Sequence, residues 1–300
     1  MALSLLPDLR FRSQGCKLKP PVELPVILPN YSENNMADKA PVVFIHGLWI
    51  HSQAWQDWID LYAEAGYSST APGWPGDAAT VQATRNNPSA VANKGIADIY
   101  DGYAAYIKTL PEKPIVVGHS FGGLIAEKLL ANGLATAAIA IDPAPIKGVK
   151  KVPLAQVRTA IPVISKKKNK TGAVSLTEKQ FRFGFGNAIS KAESSALFAK
   201  FTIPGPGKPL FEVTSAGKDP QSPAAVDTAA SNRGPLLIIG GGKDHTVPLV
   251  VAQQAYELYA NSRAVTDFET FPDRGHALVL DSRWAEVAKS TLNWLKRQGL

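Results

Sequence analysis

The stretch PIVVGHSFGGLIAEKLL, residues 114–130, passes from β-branched residues through a glycine, a histidine, a serine and two glycines into apolar residues at helical spacing. A strand-to-helix connection needs that composition only if Ser120 must occupy a backbone corner that larger neighbours would block. Gly118-His119-Ser120-Phe121-Gly122 fits G-x-S-x-G with a strand before it and a helix after it. In that context the serine sits on a strained turn with its hydroxyl exposed above a sheet. A serine hydroxyl is a weak nucleophile, so it needs a base in reach and a third group to orient that base. His276, in FPDRGHALVL between the last strand and the last helix, is the candidate base. Of the other histidines, His46 and His119 flank glycines inside motifs, and His119 is expected to point away from the nucleophile. His51 is expected near the active face as a pocket-lining residue, and His245 directly follows the candidate acid.

Two aspartates compete for the orienting role. Asp244 follows PLLIIGGGK at the carboxyl end of a strand and provides the order serine, acid, histidine, so it is preferred. Asp142 follows ATAAIAI and is the alternative acid; its other reading is a carboxylate that accepts backbone N–H groups at the hinge DPAP. Asp273 reads as a turn residue. Acyl transfer builds charge on a carbonyl oxygen, so fixed donors must await it. The N–H of Phe121, after the nucleophile, and that of Leu48, after VVFIHG, are the expected pair, with Gly47 letting the chain turn toward the serine. Trp49, Trp74, Phe181, Phe183 and Phe185 are candidates for an apolar pocket, their other reading being packing of a lid on the sheet.

The elements that must position these groups alternate. Short apolar runs (PVVFIHG, PIVVGHS, ATAAIAID, GPLLIIGGGKD) read as strands buried on both faces. Between and after them, AWQDWIDLYAEAG, GIADIYDGYAAYIKTL, FGGLIAEKLLANG and DSRWAEVAKSTLNWLKRQGL read as helices, the last with Asp281 as its N-cap. Strand–helix alternation predicts a mostly parallel, doubly wound α/β sheet, with ligand sites at the carboxyl ends of its strands. The alternation lapses over residues 143–233, which hold helical patterns (EKQFRFGF, KAESSALFAKF), many prolines and no comparable strand. A structureless loop of that length is implausible in a compact domain, so a mostly helical cap is expected there, inserted into a core of residues 36–142 and 234–300. Residues 1–35 lack a sustained period and are expected to be a disordered extension.

The chain of 300 residues carries one cysteine, Cys16, which excludes an internal disulfide framework and fits a reducing, cytoplasmic setting, with organellar targeting by residues 1–35 left open. The formal charge is +7, and the run KKKNK at 166–170 reads as a solvated loop: no aromatic residue interleaves it and no nucleic-acid-binding pattern accompanies it. No apolar run is long enough for a membrane span. Neither C-x-x-C nor H-E-x-x-H occurs, so no metal or organic cofactor is expected.

Taken together and in this order, FIHGLW, VVGHSFGGL, LLIIGGGKDHTVP and FPDRGHAL resemble the α/β-hydrolase fold serine hydrolases, over about residues 41–298. The resemblance is closest to compact carboxylesterase and lipase-like members. It implies a sheet with an inserted cap, a Ser120–His276–Asp244 triad and hydrolysis of a small-molecule carboxylic ester or lactone through an acyl-enzyme. The same fold also hosts cofactor-free haloperoxidases or perhydrolases and hydroxynitrile lyases, and a small-molecule receptor could retain the same residues as a pocket. Two departures stand out: APGWPGD, 71–77, replaces the aspartate and GHG turn of many members, and the two leading antiparallel strands are not evident before Val42.

Overall fold

The structure is a computed structural model that describes Val26–Ile27 and residues 39–300. Its strands are β1 (Val26–Ile27), β2 (Val42–Ile45), β3 (Ser69–Pro72), β4 (Ile115–His119), β5 (Ala137–Ile141), β6 (Ala173–Val174), β7 (Gly205–Pro206), β8 (Leu236–Gly241) and β9 (Thr266–Phe271). Its α-helices are α1 (Gln56–Glu64), α2 (Val81–Asn86), α3 (Ile96–Ile107), α4 (Phe121–Ala131), α5 (Leu154–Ile164), α6 (Glu178–Gly184), α7 (Lys191–Phe201), α8 (Lys208–Ser215), α9 (Leu249–Glu257) and α10 (Trp284–Arg297). Seven strands form the main sheet in the order β1-β3-β2-β4-β5-β8-β9, parallel throughout except for the β1–β3 pair. Apart from Val26 and Ile27, the expected extension lies outside the described residues; those two pair antiparallel with Ala71 and Pro72, a strand the sequence did not disclose.

The central strands are continuous apolar runs because helices cover both of their faces: β2, β4, β5 and β8 are buried at every position. β9 is half-buried along its length, as befits the edge. Under α1 an aromatic cluster forms around Phe44, whose ring lies 4.9 Å from Trp55 and 5.1 Å from Tyr62. Trp58 Nε1 donates to Val279 O at 2.8 Å, and the Tyr62 hydroxyl meets Thr291 Oγ1 at 2.7 Å. Both bonds fasten α1 to the end of the chain, and the first anchors the loop three residues beyond His276. Asp281 is not the α10 N-cap. Arg283 holds that position, while Asp281 accepts the Arg283 N–H at 2.9 Å and pairs with buried Arg274. The buried guanidinium wins the carboxylate because an unpaired charge inside costs far more than an uncapped helix start.

Between β5 and β8 the chain forms α5, α6, α7 and α8, with only the two-residue strands β6 and β7 pairing antiparallel. This segment returns to the carboxyl ends of the sheet strands. Ile203 N–H donates to Trp49 O at 2.9 Å, Thr246 Oγ1 donates to Gly184 O at 3.0 Å, and Ala277 N–H donates to Phe185 O at 3.2 Å. The lysine run forms an exposed helical turn, Lys167–Lys170. No described helix is long and apolar enough to cross a membrane.

At the other end of the sheet, Glu127 of α4 is buried and accepts the Tyr259 hydroxyl at 2.6 Å, while Arg233 lies over the Tyr259 ring at 5.0 Å. Burial pushes the Glu127 carboxyl up to about 8. From its ordinary value near 4.5 up to about 8, the folded chain holds a proton that the unfolded chain has released, so stability falls as pH rises through that window. Glu127→Gln retains an acceptor for Tyr259 and is expected to gain on the native protein, by on the order of 4 kcal/mol at pH 8 relative to pH 4.5. Urea unfolding of both proteins across that range tests it; parallel curves would place the proton elsewhere.

Candidate active site

Ser120 joins β4 to α4 with φ 56° and ψ −121°, a region that costs a non-glycine residue on the order of 1–3 kcal/mol. Its surroundings leave it no alternative. Ser120 N–H donates to Ile141 O, and Ser120 O accepts from Gly123 N–H and Ala144 N–H, each at 2.9 Å. The flanking glycines let α4 start hard against the sheet. A Cβ on Gly118 would stand 2.0 Å from Gly122 O, and one on Gly122 would stand 2.1 Å from Ile45 O. The turn after β2 presses on the serine as well, since a Cβ on Gly47 would lie 2.8 Å from Ser120 Cβ. Leu48 follows that glycine and Phe121 opens an 11-residue helix, so the Phe121 N–H has no intrahelical acceptor. Two backbone segments carrying the expected donors thus converge on Ser120.

Asp244 lies in the turn after β8. Its Oδ1 accepts the N–H groups of Thr246 (2.6 Å) and Val247 (2.9 Å), and its Oδ2 faces His276 Nδ1 at 2.5 Å. An acceptor so held places the ring proton on Nδ1 and leaves the lone pair on Nε2. His276 Nε2 is buried and has no hydrogen-bond partner among the described residues. Phe185 closes over the imidazole edge-on, ring centroids 4.7 Å apart.

Asp142, the other acid, is also there. It ends β5 at φ 42°, accepts the Gly241 N–H through Oδ1 at 2.6 Å, and holds Oδ2 3.9 Å from His276 Nδ1. Both sequence readings of Asp142 therefore describe part of its position: it accepts a backbone N–H, and it stands behind the imidazole, farther off than Asp244. Burial first, and then the neighbouring Asp244 charge, push its carboxyl well above the usual range, which favours the protonated form.

The ring of His119, expected to point away from the nucleophile, lies 4.5 Å from that of His276. The bare Gly47 makes room for it, since a Cβ there would come 3.3 Å from His119 Nδ1. Burial, and then His276, hold the His119 imidazole well below its ordinary value, so it packs there as a neutral ring.

The pocket candidates separate. His51 is buried and caps the turn Ser52–Trp55: Nδ1 accepts the Gln53 N–H at 3.1 Å, and Nε2 bonds Ala78 O at 3.0 Å. Trp74 stacks on His46 at 5.1 Å and donates Nε1 to His46 O at 3.1 Å. Each ring's polar atoms are occupied in holding loops together, and neither residue lines the cleft formed by Trp49 and Phe183. Phe181 is fully buried, stacked on Phe185 at 5.0 Å. Trp49 and Phe183 do line a cleft of about 660 Å³, along with Arg158, Lys179, Arg182 and Asn187. Sequence reasoning missed those cations; the visible trace of two of them was K-x-x-R inside EKQFRFG, with Arg182 beside the aromatic Phe183. Ser120, Asp244 and His276 do not line this cleft and are at most 4% exposed.

Comparison with known proteins agrees with this architecture. The chain is similar to a monoacylglycerol lipase from Paleococcus ferrophilus, with 21% identity, 86% of this chain and 96% of that one covered, and a TM-score of 0.61. It is similar to a methylesterase from Arabidopsis at 16% identity, covering 86% and 99% of the two chains, with a TM-score of 0.61. An extracellular α/β-hydrolase from a Paenibacillus species gives 19% identity, 85% and 98% coverage and a TM-score of 0.62. At these identities the likeness is one of fold. No curated protein sequence matches significantly. The sequence profile described as the alpha/beta hydrolase family matches residues 42–290, most of the chain, and to that family the protein belongs.

Proposed function

We propose that the protein is a serine hydrolase of carboxylic esters or lactones, with Ser120, His276 and Asp244 as its triad. The observation that carries this reading is Ser120 itself, held at φ 56° between glycines that tolerate no Cβ, at the carboxyl ends of the strands, where His276 and Asp244 pair. Strained backbone of this kind clusters at functional sites.

His276 Nε2 takes the proton of the Ser120 hydroxyl as Oγ bonds to the acyl carbon, and Asp244 stabilises the imidazolium. The N–H groups of Leu48 and Phe121 hold the oxyanion. The tetrahedral adduct collapses, the C–O bond to the alcohol breaks, and His276 returns the proton to the leaving alkoxide. A water deprotonated by His276 then attacks the acyl-serine, and a second collapse releases the acid and restores the Ser120 hydroxyl. Residues 143–233 act as a cap above these groups, whose burial requires that it part for substrate to enter.

Labelling with a fluorophosphonate tests the acylating role. Stoichiometric attachment at Ser120 is expected; an unlabelled enzyme that cleaves cyanohydrins, or one that only binds ligands, would replace this reading with a lyase or a receptor. The cap adds a second expectation. Phe183→Ala is expected to lower kcat/KM on long acyl esters by about 5- to 100-fold and to leave a short ester nearly unchanged, because a short chain reaches few cap contacts. Phe181→Ala is expected to lower the melting temperature instead, since its ring is core. Equal losses on short and long esters for Phe183→Ala would make that ring core as well.

A further inference from the structure

The charge of this protein is unevenly placed. Residues 143–233 contain fifteen Lys and Arg against five Asp and Glu, a net +10, whereas the whole chain is +7. The segment over the strand ends is therefore strongly basic and the remainder of the chain is acidic. The cleft follows the same rule. Arg158, Lys179 and Arg182 line it and no carboxylate does. None of the three takes part in an ion pair among the described residues.

Two of these cations are held rather than free. The Arg158 guanidinium, on an exposed residue, lies over the Phe183 ring, 4.1 Å from its centroid, a contact that places the cation without neutralising it. Arg182 Nη1 is buried and has no hydrogen-bond acceptor, which is costly for a charged donor unless something supplies one. Apolar surface from Trp49 and Phe183 shares the cleft. Trp49 adjoins Leu48, the proposed oxyanion donor. Gly184, also in the lining, accepts from Thr246, whose own N–H holds Asp244. The lining thus includes a chain neighbour of the proposed oxyanion donor and a residue bonded to the turn that holds Asp244, although the triad residues themselves do not line the cleft.

We propose that this cleft is a recognition site for an anionic group on the substrate, so that the preferred substrate is an ester or lactone with an apolar body ending in a carboxylate or a comparable oxyanion. Arg182 and Arg158 bind the anion, Lys179 adds charge at the mouth, and the apolar body lies along Trp49 and Phe183. The basic cap would also draw anions toward the opening, an effect that weakens as salt screens it. This inference rests on the ester-hydrolase reading for the word substrate, but the anion site itself does not need turnover.

The test compares 4-nitrophenyl esters of equal chain length, one ending in methyl (octanoyl) and one in carboxylate (the suberic half-ester), in the wild-type protein, Arg182→Gln and Lys179→Gln. The wild type is expected to favour the carboxylate ester, with the preference falling as salt is raised. Arg182→Gln is expected to lower kcat/KM on that ester about 10- to 100-fold, mainly through KM, and to lower it on the octanoyl ester by a much smaller factor. Lys179→Gln, at an exposed position, is expected to give a smaller loss of the same selectivity. Equal effects on both esters, or a wild-type preference for the neutral ester, would overturn the proposal. Calorimetric titration of the wild type with suberate, octanesulfonate and octyl phosphate provides the second arm. Binding that is lost in Arg182→Gln supports the site and ranks the anions even if neither ester is cleaved, in which case the hydrolase reading fails alone. No binding of any of the three, with octanoyl ester still hydrolysed, removes the anion site and leaves the hydrolase.

Discussion

Ser120→Ala is expected to abolish fluorophosphonate labelling and to lower ester turnover by on the order of 10⁶-fold, to the level left by the oxyanion donors and binding alone. The fold should survive, because alanine keeps a Cβ and removes only the hydroxyl. Stability distinguishes the elbow from an ordinary turn. At φ 56° any residue with a Cβ is strained, so alanine should leave the unfolding free energy nearly unchanged and Ser120→Gly should raise it by about 1 kcal/mol. A protein that keeps its strain for function gains stability and loses activity when the strain is relieved. Undiminished turnover in Ser120→Ala, measured with a short ester, would move the nucleophile elsewhere.

The second large effect separates the two aspartates. Asp244→Asn should lower kcat by about 10⁴-fold, since the amide cannot accept from both the loop N–H groups and His276 Nδ1 without turning its own donors toward one of them. Asp142→Asn should cost less than about tenfold. Its carboxyl favours the protonated form, so an amide reproduces its shape, keeps an acceptor for the Gly241 N–H and offers a donor toward Asp244. The pH dependence of stability should expose the same difference. The groups facing Asp142 are Asp244, His276, His119 and Arg274. Burial and Asp244 outweigh Arg274, so the folded carboxyl keeps its proton above the ordinary value near 3.8. Its contribution to stability therefore falls as pH rises above that value, and Asp142→Asn should remove that part of the slope. If Asp142→Asn is the slower enzyme and Asp244→Asn the nearly normal one, the acid belongs to β5.

Much of this was legible without coordinates because it is local. A buried parallel strand must be a continuous apolar run, and a helix must repeat its apolar face every three or four residues, so β2, β4, β5, β8, α1, α3, α4 and α10 could each be read from a window of a dozen residues. The elbow was legible for the same reason: Gly118, Ser120 and Gly122 lie within five residues of one another, and the backbone they require is a property of those five. Chain order proposed His276 and preferred Asp244, but order says nothing about distance. Only the packed sheet brings a residue from the end of β5 to within 3.9 Å of the same imidazole that Asp244 holds at 2.5 Å, making two competing readings into neighbours. Only tertiary contact could show that Asp281 serves Arg274 instead of a helix start, that His119 lies against His276, and that His51 and Trp74 hold loops together. The short strand β1 was invisible because its two residues gain meaning only from the β3 edge they pair with. The cations of the cleft show the limit most plainly. Arg158 and Arg182 lie on different helices, and their shared, unneutralised field exists only where α5 and α6 meet.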